Sequence, residues 1–542
     1  MMEFIRDYQS KPWPKLEIPP LRQRQVIGLV LFMILFIALG WAIYLNPETR
    51  VKYFAMMGLV VPIVFLLKSR HTALIGLLSL QVILAFVFMG NQNYVLLGVA
   101  GLAGAIIAFE SPILIYAVLI FWIWFEMSSI SGLVSHPLRL EFVIGLGFFA
   151  GWFVKERILS LTRPAAIIFP EKWPAILFMI WALLGFAFWA IEPIPAGWFQ
   201  IRFIMIGILF LLISPLVLRT PRFLNVATWS WIGAGFVGAV AAFVTQITGY
   251  SPQVQASASW GANTGAMGIQ HSWSASFLSF AFFVMLPVYY LMKRQLLKGL
   301  MLFSLLLTFG AILLQQSKGP TVGLFAGTGL FLLLEAFFDP KVSRLRVVGR
   351  IMIMVFFVTG LLLSIYYLGL GTQIGDYSSL FENPAGSSGM EARYILWATA
   401  YDMFSHEGHP LRGLGVGSFW ALAYDYGLNY PNTFEAMDYQ EQGINPHNLY
   451  IDTILHYGII GFALFLWMAA GNLLRLRRGF KQLQNRKYRY LSLGVFCGLA
   501  AFYFSCLFDF TVFIVSRYWL FLGYSVVIIN IASGVGPKED VY

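Results

Sequence analysis

Cysteine and charge are both scarce in this sequence. Only two of the 542 residues are cysteines, Cys497 and Cys506, and nine helical positions separate two residues by about 13 Å, too far for a disulfide. A disulfide framework and a cysteine-based zinc site are therefore excluded. Charged residues make up 11% of the chain, whereas a soluble globular protein has about 25%. This low value excludes an ordinary cytosolic or secreted enzyme.

Hydrophobic residues, in contrast, make up 59% of the chain, and the mean hydropathy is +0.75. Apolar runs of about 17–25 residues, long enough to cross a bilayer as helices, recur almost from end to end. The runs are continuous and do not alternate as in an outer-membrane barrel. We therefore predict an all-α polytopic membrane protein with about 14–16 transmembrane helices. Candidate spans begin near Val26, Lys52, Ala73, Tyr94, Pro112, Leu140, Pro174, Ile201, Val226, Trp273, Lys298, Gly319, Arg350, Asn448, Leu491 and Tyr518.

The net charge of +11 is explained better by membrane topology than by a nucleic-acid partner, which we do not expect. The polar N-terminal segment lacks the features of a signal peptide, so we predict that it stays in the cytoplasm. With that orientation, 28 of the 36 Lys and Arg residues fall in cytoplasmic segments, as the positive-inside rule requires. Seven of them lie between the fourteenth and fifteenth spans: Arg475, Arg477, Arg478, Lys481, Arg486, Lys487 and Arg489.

This topology divides the chain into segments and leaves one long polar loop on the outer face. That loop has 76 residues, and loops of such length in a compact protein are usually functional. We predict that it is the catalytic module and contains short helices. The segments are a cytoplasmic tail at 1–25, helices 1–13 at 26–370, the outer loop at 371–446, helices 14–16 at 447–533 with a basic cytoplasmic loop at 475–489, and a cytoplasmic tail at 534–542.

Two patterns within the long loop point to a ligand. Residues 389–404 have the period of an amphipathic helix, with Arg393, Trp397 and Tyr401 on one face. Three alternating glycines follow at 413–417 and permit a tight backbone that approaches a ligand closely. The same glycines are equally compatible with a turn that packs on the helices.

A second group of polar residues lies where the loop ends. Pro446 favours a helix start, so His447 is expected at the outer mouth of the next span, where an imidazole can titrate near neutral pH. Asn448, Asp452 and His456 follow at intervals of four residues and form a polar stripe on a helix that is otherwise apolar. Asp452 either binds a substrate group or only satisfies His456.

Basic residues on the outer face are exceptions to the positive-inside rule. We therefore consider them as candidates for anion binding. Lys318 opens a span on the same side as Arg393 and His447. Its default role would be to reach toward the lipid headgroups. Arg202 and Arg412 are two more basic residues on this side.

Together these motifs resemble the O-antigen ligase-like family, which includes O-antigen ligases, surface-polysaccharide polymerases and protein O-oligosaccharyltransferases. The resemblance covers about residues 300–467. One departure is Lys318, which stands where the family usually has arginine and keeps the charge without the bidentate geometry. The matching motifs are Ser317-Lys-Gly, Arg393 with Trp397, Pro410-x-x-Gly-x-Gly-x-Gly-x-Phe419, and His447-Asn-x-Tyr450 followed by Gly458 and Gly461.

The resemblance implies transfer of a glycan from a polyprenyl (undecaprenyl) diphosphate carrier to an acceptor hydroxyl, at the periplasmic face of the bacterial inner membrane. It implies His447 as general base, with Arg393 and Lys318 stabilising the diphosphate. Substrate contacts are expected from Arg412, Asn448, Arg202, Trp397 and Asp452. We expect no cofactor and no metal.

The acceptor remains open among lipid A core, a growing glycan chain and a protein hydroxyl. A function of another class, a flippase or transporter for the same lipid-linked glycan, predicts charged residues in the middle of several spans and a repeated half-structure. Neither feature is evident in the sequence, which favours the glycosyltransferase.

Overall fold

The computed structural model describes residues 169–190, 198–218, 220–248, 271–315, 317–338, 388–427, 446–507 and 516–533, together with a few isolated positions. Of the described residues, 87% are helical and none is in a strand. The predicted all-α class is confirmed. The two predicted tails, the six spans predicted to begin before residue 150, and the span predicted near Arg350 lie outside the described ranges.

Nine of the described helices coincide with predicted spans, and each begins within five residues of its predicted start. Two more, Ser388–Glu407 and Ser418–Gly427, belong to the long loop. In chain order the helices are α1 Lys172–Phe188, α2 Trp198–Val217, α3 Pro221–Thr248, α4 His271–Leu291, α5 Gln295–Leu314, α6 Lys318–Phe338, α7 Ser388–Glu407, α8 Ser418–Gly427, α9 Leu449–Gln482, α10 Arg486–Ser505 and α11 Ser516–Ala532.

Several of these helices are long and apolar enough to cross a membrane, which makes this a multi-pass membrane protein. Within the described residues five stretches qualify by length and hydropathy, and α1 and α11 are shorter apolar helices. The five are Pro221–Val244, Ser274–Leu291, Gln295–Leu314, Gly319–Phe337 and Leu449–Gln482.

Small residues allow the helices to pack closely. A Cβ placed on Gly323 of α6 would lie 2.5 Å from the Ala501 carbonyl oxygen of α10, and one on Gly494 of α10 would lie 2.4 Å from the Phe283 carbonyl oxygen of α4. Close backbone approach at glycine is typical of helix contacts in a bilayer, where burial of apolar surface provides no driving force between helices.

The bundle has two chemically different ends. At the loop end, the start of α9 meets the end of α10, where the Leu449 amide donates to the Cys506 carbonyl at 3.0 Å. At the basic end, the last turns of α9 carry Arg475, which pairs with Glu171 at the start of α1.

The basic segment is more helical than predicted. Residues 475–482 continue α9 and residues 486–489 begin α10, so only three residues connect the two helices. The prediction of a loop over 475–489 is therefore wrong in its length. The basic residues of α9 lie near its end because α9 extends for 34 residues, whereas about 20 residues are enough to cross a hydrocarbon core.

Candidate active site

A small apolar cluster at the loop end fixes the described part of the long loop to α9. Helix α7 extends the predicted 389–404 helix by a few residues at its C-terminal end. Its apolar face packs on α8, on residues 408–417 between the two helices, which we call the glycine loop, and on the first turns of α9. The buried members are Leu396, Ala400, Met403, Leu414, Phe419, Ala423 and Leu455.

Helix α9 is broken at Gly458, where the backbone has φ 64° and ψ −170°. In an unbroken helix the Leu455 and His456 carbonyls would accept from the amides four residues later. Here they accept from the glycine loop: the Leu414 amide donates to Leu455 at 2.8 Å, and the Gly415 amide donates to His456 at 3.0 Å.

The same loop also accepts from the amides that the break releases. Ile459 donates to the Pro410 carbonyl at 2.9 Å, and Ile460 donates to the Leu411 carbonyl at 3.3 Å. The indole of Trp181 in α1 donates to the third carbonyl at the break, that of Tyr457, at 2.8 Å. These bonds matter because an unpaired backbone group inside a membrane protein costs several kcal/mol.

Glycine is required at the docked positions of the loop. Gly413 has φ 71°, and a Cβ there would lie 2.6 Å from both the Gly458 nitrogen and the Leu455 carbonyl oxygen. Gly415 has φ 92°, and a Cβ there would lie 2.6 Å from the Ala190 Cα. The sequence was compatible with two roles for the three glycines, close approach to a ligand or a turn that packs on the helices. These contacts describe the packed turn.

His447 lies directly before α9 in a strained conformation. Its φ is 47°, which is unusual for a residue with a side chain. A residue keeps such a backbone conformation only when the surrounding structure enforces it. On one side Asn448 caps α9, its Oδ1 accepting from the Tyr450 amide at 3.0 Å and the Ile451 amide at 3.1 Å. Its Nδ2 donates to the Leu507 carbonyl at 3.0 Å, so the side chain ties α9 to α10.

On the other side of His447, the chain is attached to α7. The Trp397 indole donates to the Pro446 carbonyl at 2.8 Å. Arg393 lies one helical turn before Trp397 and is half-buried. This hydrogen bond therefore brings the predicted Arg393 and Trp397 face against the residue that precedes His447.

Asp452 and His456 form a buried pair, one to two turns after the start of α9. Their Oδ1 and Nδ1 atoms lie 3.2 Å apart, and the side chains are 6% and 1% exposed. The Phe419 amide, in the first turn of α8, donates to Nε2 of His456 at 3.4 Å. Because Nε2 accepts, the ring proton is assigned to Nδ1, which faces the carboxylate. Asp452 is thus placed against an imidazole, within the protein interior.

Arg412, Lys318 and Arg202 are the remaining predicted cations. Arg412 is exposed, with its guanidinium carbon 5.9 Å from the centre of the Trp189 ring. Lys318 is the first residue of α6, and Arg202 is the fifth residue of α2. The side chains of Lys318 and Arg202 are outside the described part of the structure.

Packing nevertheless locates the backbone of Lys318. A Cβ on Gly323 of α6 would lie 3.2 Å from the Ser505 side chain at the end of α10. Lys318 precedes Gly323 by five residues, about 7.5 Å along the helix axis. Since the end of α10 also contacts Leu449 and Asn448, Lys318 lies at the same end of the bundle as His447.

The long loop contains further aromatic residues, of which Tyr426 lies in α8. Its hydroxyl donates to the Glu407 carboxylate of α7 at 3.0 Å. Desolvation and then the neighbouring Glu407 carboxylate raise the pKa of Tyr426, so it keeps its proton at neutral pH. The side chains of Trp420 and Tyr424, and all of Tyr430 and Tyr439, lie outside the described residues.

Comparison with known families agrees with the motifs. Residues 303–466 match the model of the O-antigen ligase family. The predicted resemblance to the O-antigen ligase-like family is confirmed. The matched segment contains Lys318, Arg393, the glycine loop, His447 and the break at Gly458. The family comprises membrane glycosyltransferase-like ligases and polymerases. A comparison with curated proteins finds no match.

Proposed function

We propose that the protein transfers a glycan from a polyprenyl (undecaprenyl) diphosphate carrier to an acceptor hydroxyl at the periplasmic face of the bacterial inner membrane. The family match supports lipid-linked glycan chemistry in a membrane. The observation that carries the proposal is the hydrogen bond from Trp397 to the Pro446 carbonyl. It brings the helix that bears Arg393 against the strained segment that bears His447.

Arg393 and Lys318 would bind the diphosphate. As the bond between the sugar and the carrier breaks, negative charge grows on the leaving diphosphate, and fixed cations stabilise that charge most effectively where water is limited. The half-burial of Arg393 suits this role. Arg412 and Arg202 are proposed as further cations along the path of the donor.

His447 would act as the general base. The acceptor oxygen attacks the anomeric carbon while the bond from that carbon to the phosphate oxygen breaks, and the diphosphate leaves with the electron pair. The acceptor proton passes to the neutral imidazole, whose ordinary pKa of about 6.5 suits the task. Direct displacement of this kind inverts the anomeric centre.

The neighbouring residues would hold His447 in place. Asn448 and Trp397 fix the chain on its two sides, which is the type of rigid support that catalytic geometry requires. Asp452 would act through His456, which in turn holds the start of α8. We propose a reaction that needs neither metal nor cofactor.

The test is transfer in vitro by purified protein, with a polyprenyl-diphosphate glycan, a panel of acceptors, and EDTA present. Wild type is compared with His447→Ala and Arg393→Ala, and with Arg477→Ala as a matched control that removes an exposed arginine at the basic end. We expect both site variants to lose transfer while the control keeps it. The acceptor that reacts identifies an O-antigen ligase, a repeat-unit polymerase or a protein O-oligosaccharyltransferase.

Two outcomes would contradict the proposal. If both site variants transferred glycan at the wild-type rate, the catalytic roles would be wrong. If the wild type moved the lipid-linked glycan between leaflets without forming a product, the protein would be a flippase.

A further inference from the structure

A stripe of aromatic rings runs along α7 beside the proposed site. Tyr394, Trp397 and Tyr401 occupy positions i, i+3 and i+7, which lie on one face of a helix. The rings of Tyr394 and Trp397 are in edge-to-face contact, with centroids 5.5 Å apart. Trp397 is half-buried, whereas Tyr394 is 50% exposed and Tyr401 is 71% exposed.

This exposure is not explained by packing within α7 or by burial in a membrane. The apolar face of α7 is already covered, since Leu396, Ala400 and Met403 are at most 1% exposed. The helix also carries Asp402 and Glu407 and is not among the stretches apolar enough to span a membrane. Exposed tyrosines on such a helix are therefore available to a ligand.

The position of the stripe indicates which ligand it would take. Arg393 lies one turn before Trp397, and Trp397 lies one turn before Tyr401, so successive side chains are separated by about 6 Å along the axis. This separation is comparable to the length of one pyranose unit in a glycan. In the donor, the first sugar is bonded directly to the diphosphate that Arg393 is proposed to hold.

We propose that Tyr394, Trp397 and Tyr401 form a binding platform for the sugars of the donor glycan, with Tyr401 contacting a sugar beyond the first. This inference rests on the proposed function. The apolar C–H face of a pyranose packs on an aromatic ring, and the tyrosine hydroxyl remains free to bond with sugar hydroxyls because tyrosine has an apolar body and a polar tip. A sugar so held would be presented to the residue that follows Pro446, which is His447.

The experiment measures affinity for two lipids, the oligosaccharide-bearing polyprenyl diphosphate and the bare polyprenyl diphosphate. Both are titrated into purified full-length protein in detergent, for wild type, Tyr401→Ala and Tyr401→Phe. Trp173→Ala is the matched control, because it removes an exposed aromatic residue, 57% exposed, at the other end of the bundle. Folding is matched by size-exclusion profile and thermal midpoint.

We expect Tyr401→Ala to bind the glycan-bearing lipid about three- to tenfold more weakly, which is the range of one aromatic contact. Its affinity for the bare lipid should not change, Tyr401→Phe should recover most of the loss, and Trp173→Ala should match wild type. Equal losses for both lipids would overturn the proposal and assign the stripe to contact with the membrane surface. Unchanged affinity for both lipids would also overturn it.

The two lipids also separate this inference from the proposed function. If wild type bound neither lipid, the proposed function would fail, and the platform would fail with it. If wild type bound and transferred the glycan while Tyr401→Ala behaved as wild type, only the platform would fail.

Discussion

Replacing Gly413 by alanine should undock the glycine loop from the break in α9. At φ 71° a residue with a Cβ is strained, and that Cβ would lie 2.6 Å from two backbone atoms across the interface. Left-handed strain costs about 1–2 kcal/mol. Four hydrogen bonds join the loop to the break, and losing one or two of them adds about 1 kcal/mol each. The docked state should therefore lose about 2–4 kcal/mol.

Hydrogen exchange measures this loss locally. The amides of Leu414, Gly415, Ile459 and Ile460 make the four bonds. Because each 1.4 kcal/mol is a factor of ten in an equilibrium, their exchange should accelerate about 30- to 700-fold in the variant. Exchange near the basic end, in the last turns of α9, should remain as in wild type.

A matched glycine control exists in α5. A Cβ on Gly299 would meet no atom within 4 Å, and alanine is favoured over glycine in a helix by about 0.5–1 kcal/mol. Gly299→Ala should therefore leave the four amides protected. Wild-type protection of these amides in Gly413→Ala would refute the reasoning that the glycine is required for docking.

Three further predictions concern single contacts. Trp397→Phe keeps a ring but removes the donor to the Pro446 carbonyl. We expect kcat for transfer to fall about tenfold, because leaving a buried acceptor unpaired costs about 1–3 kcal/mol. An unchanged kcat would argue against a positioning role. Asn448→Ala removes the cap of α9 and should lower the free energy of unfolding by about 1–2 kcal/mol, measured by thermal melting in detergent. Asn448→Asp keeps the cap but loses the donor to the Leu507 carbonyl, so it should recover only part of that free energy. Arg475→Met removes the ion-pair partner of Glu171. Burial already raises the pKa of Glu171, and Arg475 opposes that effect. The variant should therefore be destabilised at neutral pH and should regain stability as the pH falls and the carboxyl is protonated. A deficit that does not depend on pH would contradict that account of Glu171.

Within the described residues, sequence patterns predicted the membrane helices well, because the bilayer sets the length and hydropathy of a span. The start of α9 was predicted from Pro446, and the polar stripe of Asn448, Asp452 and His456 is buried as its cost in an apolar helix implies. Helix α7 was predicted from the spacing of Arg393 and Trp397. In each case the information is local in the chain.

The break at Gly458 was not predicted, because a glycine within a long apolar run is equally compatible with an unbroken span. What creates the break is an exchange of hydrogen bonds with residues 410–415, more than forty positions earlier. The roles of Trp181 and of the Phe419 amide depend on the same long-range docking. The available signal was the pairing of a glycine-rich loop with a glycine inside a helix, but its meaning becomes clear only when the two segments are in contact.

The pH dependence of single-turnover transfer, compared between wild type and His447→Ala, tests the central claim most directly. If His447 is the general base, the wild-type rate should fall on the acidic side, because a protonated imidazole cannot take up the acceptor proton. His447→Ala should lose that limb and transfer about 10²- to 10⁴-fold more slowly. A variant that retained both the wild-type rate and the acidic limb would contradict the assignment of His447.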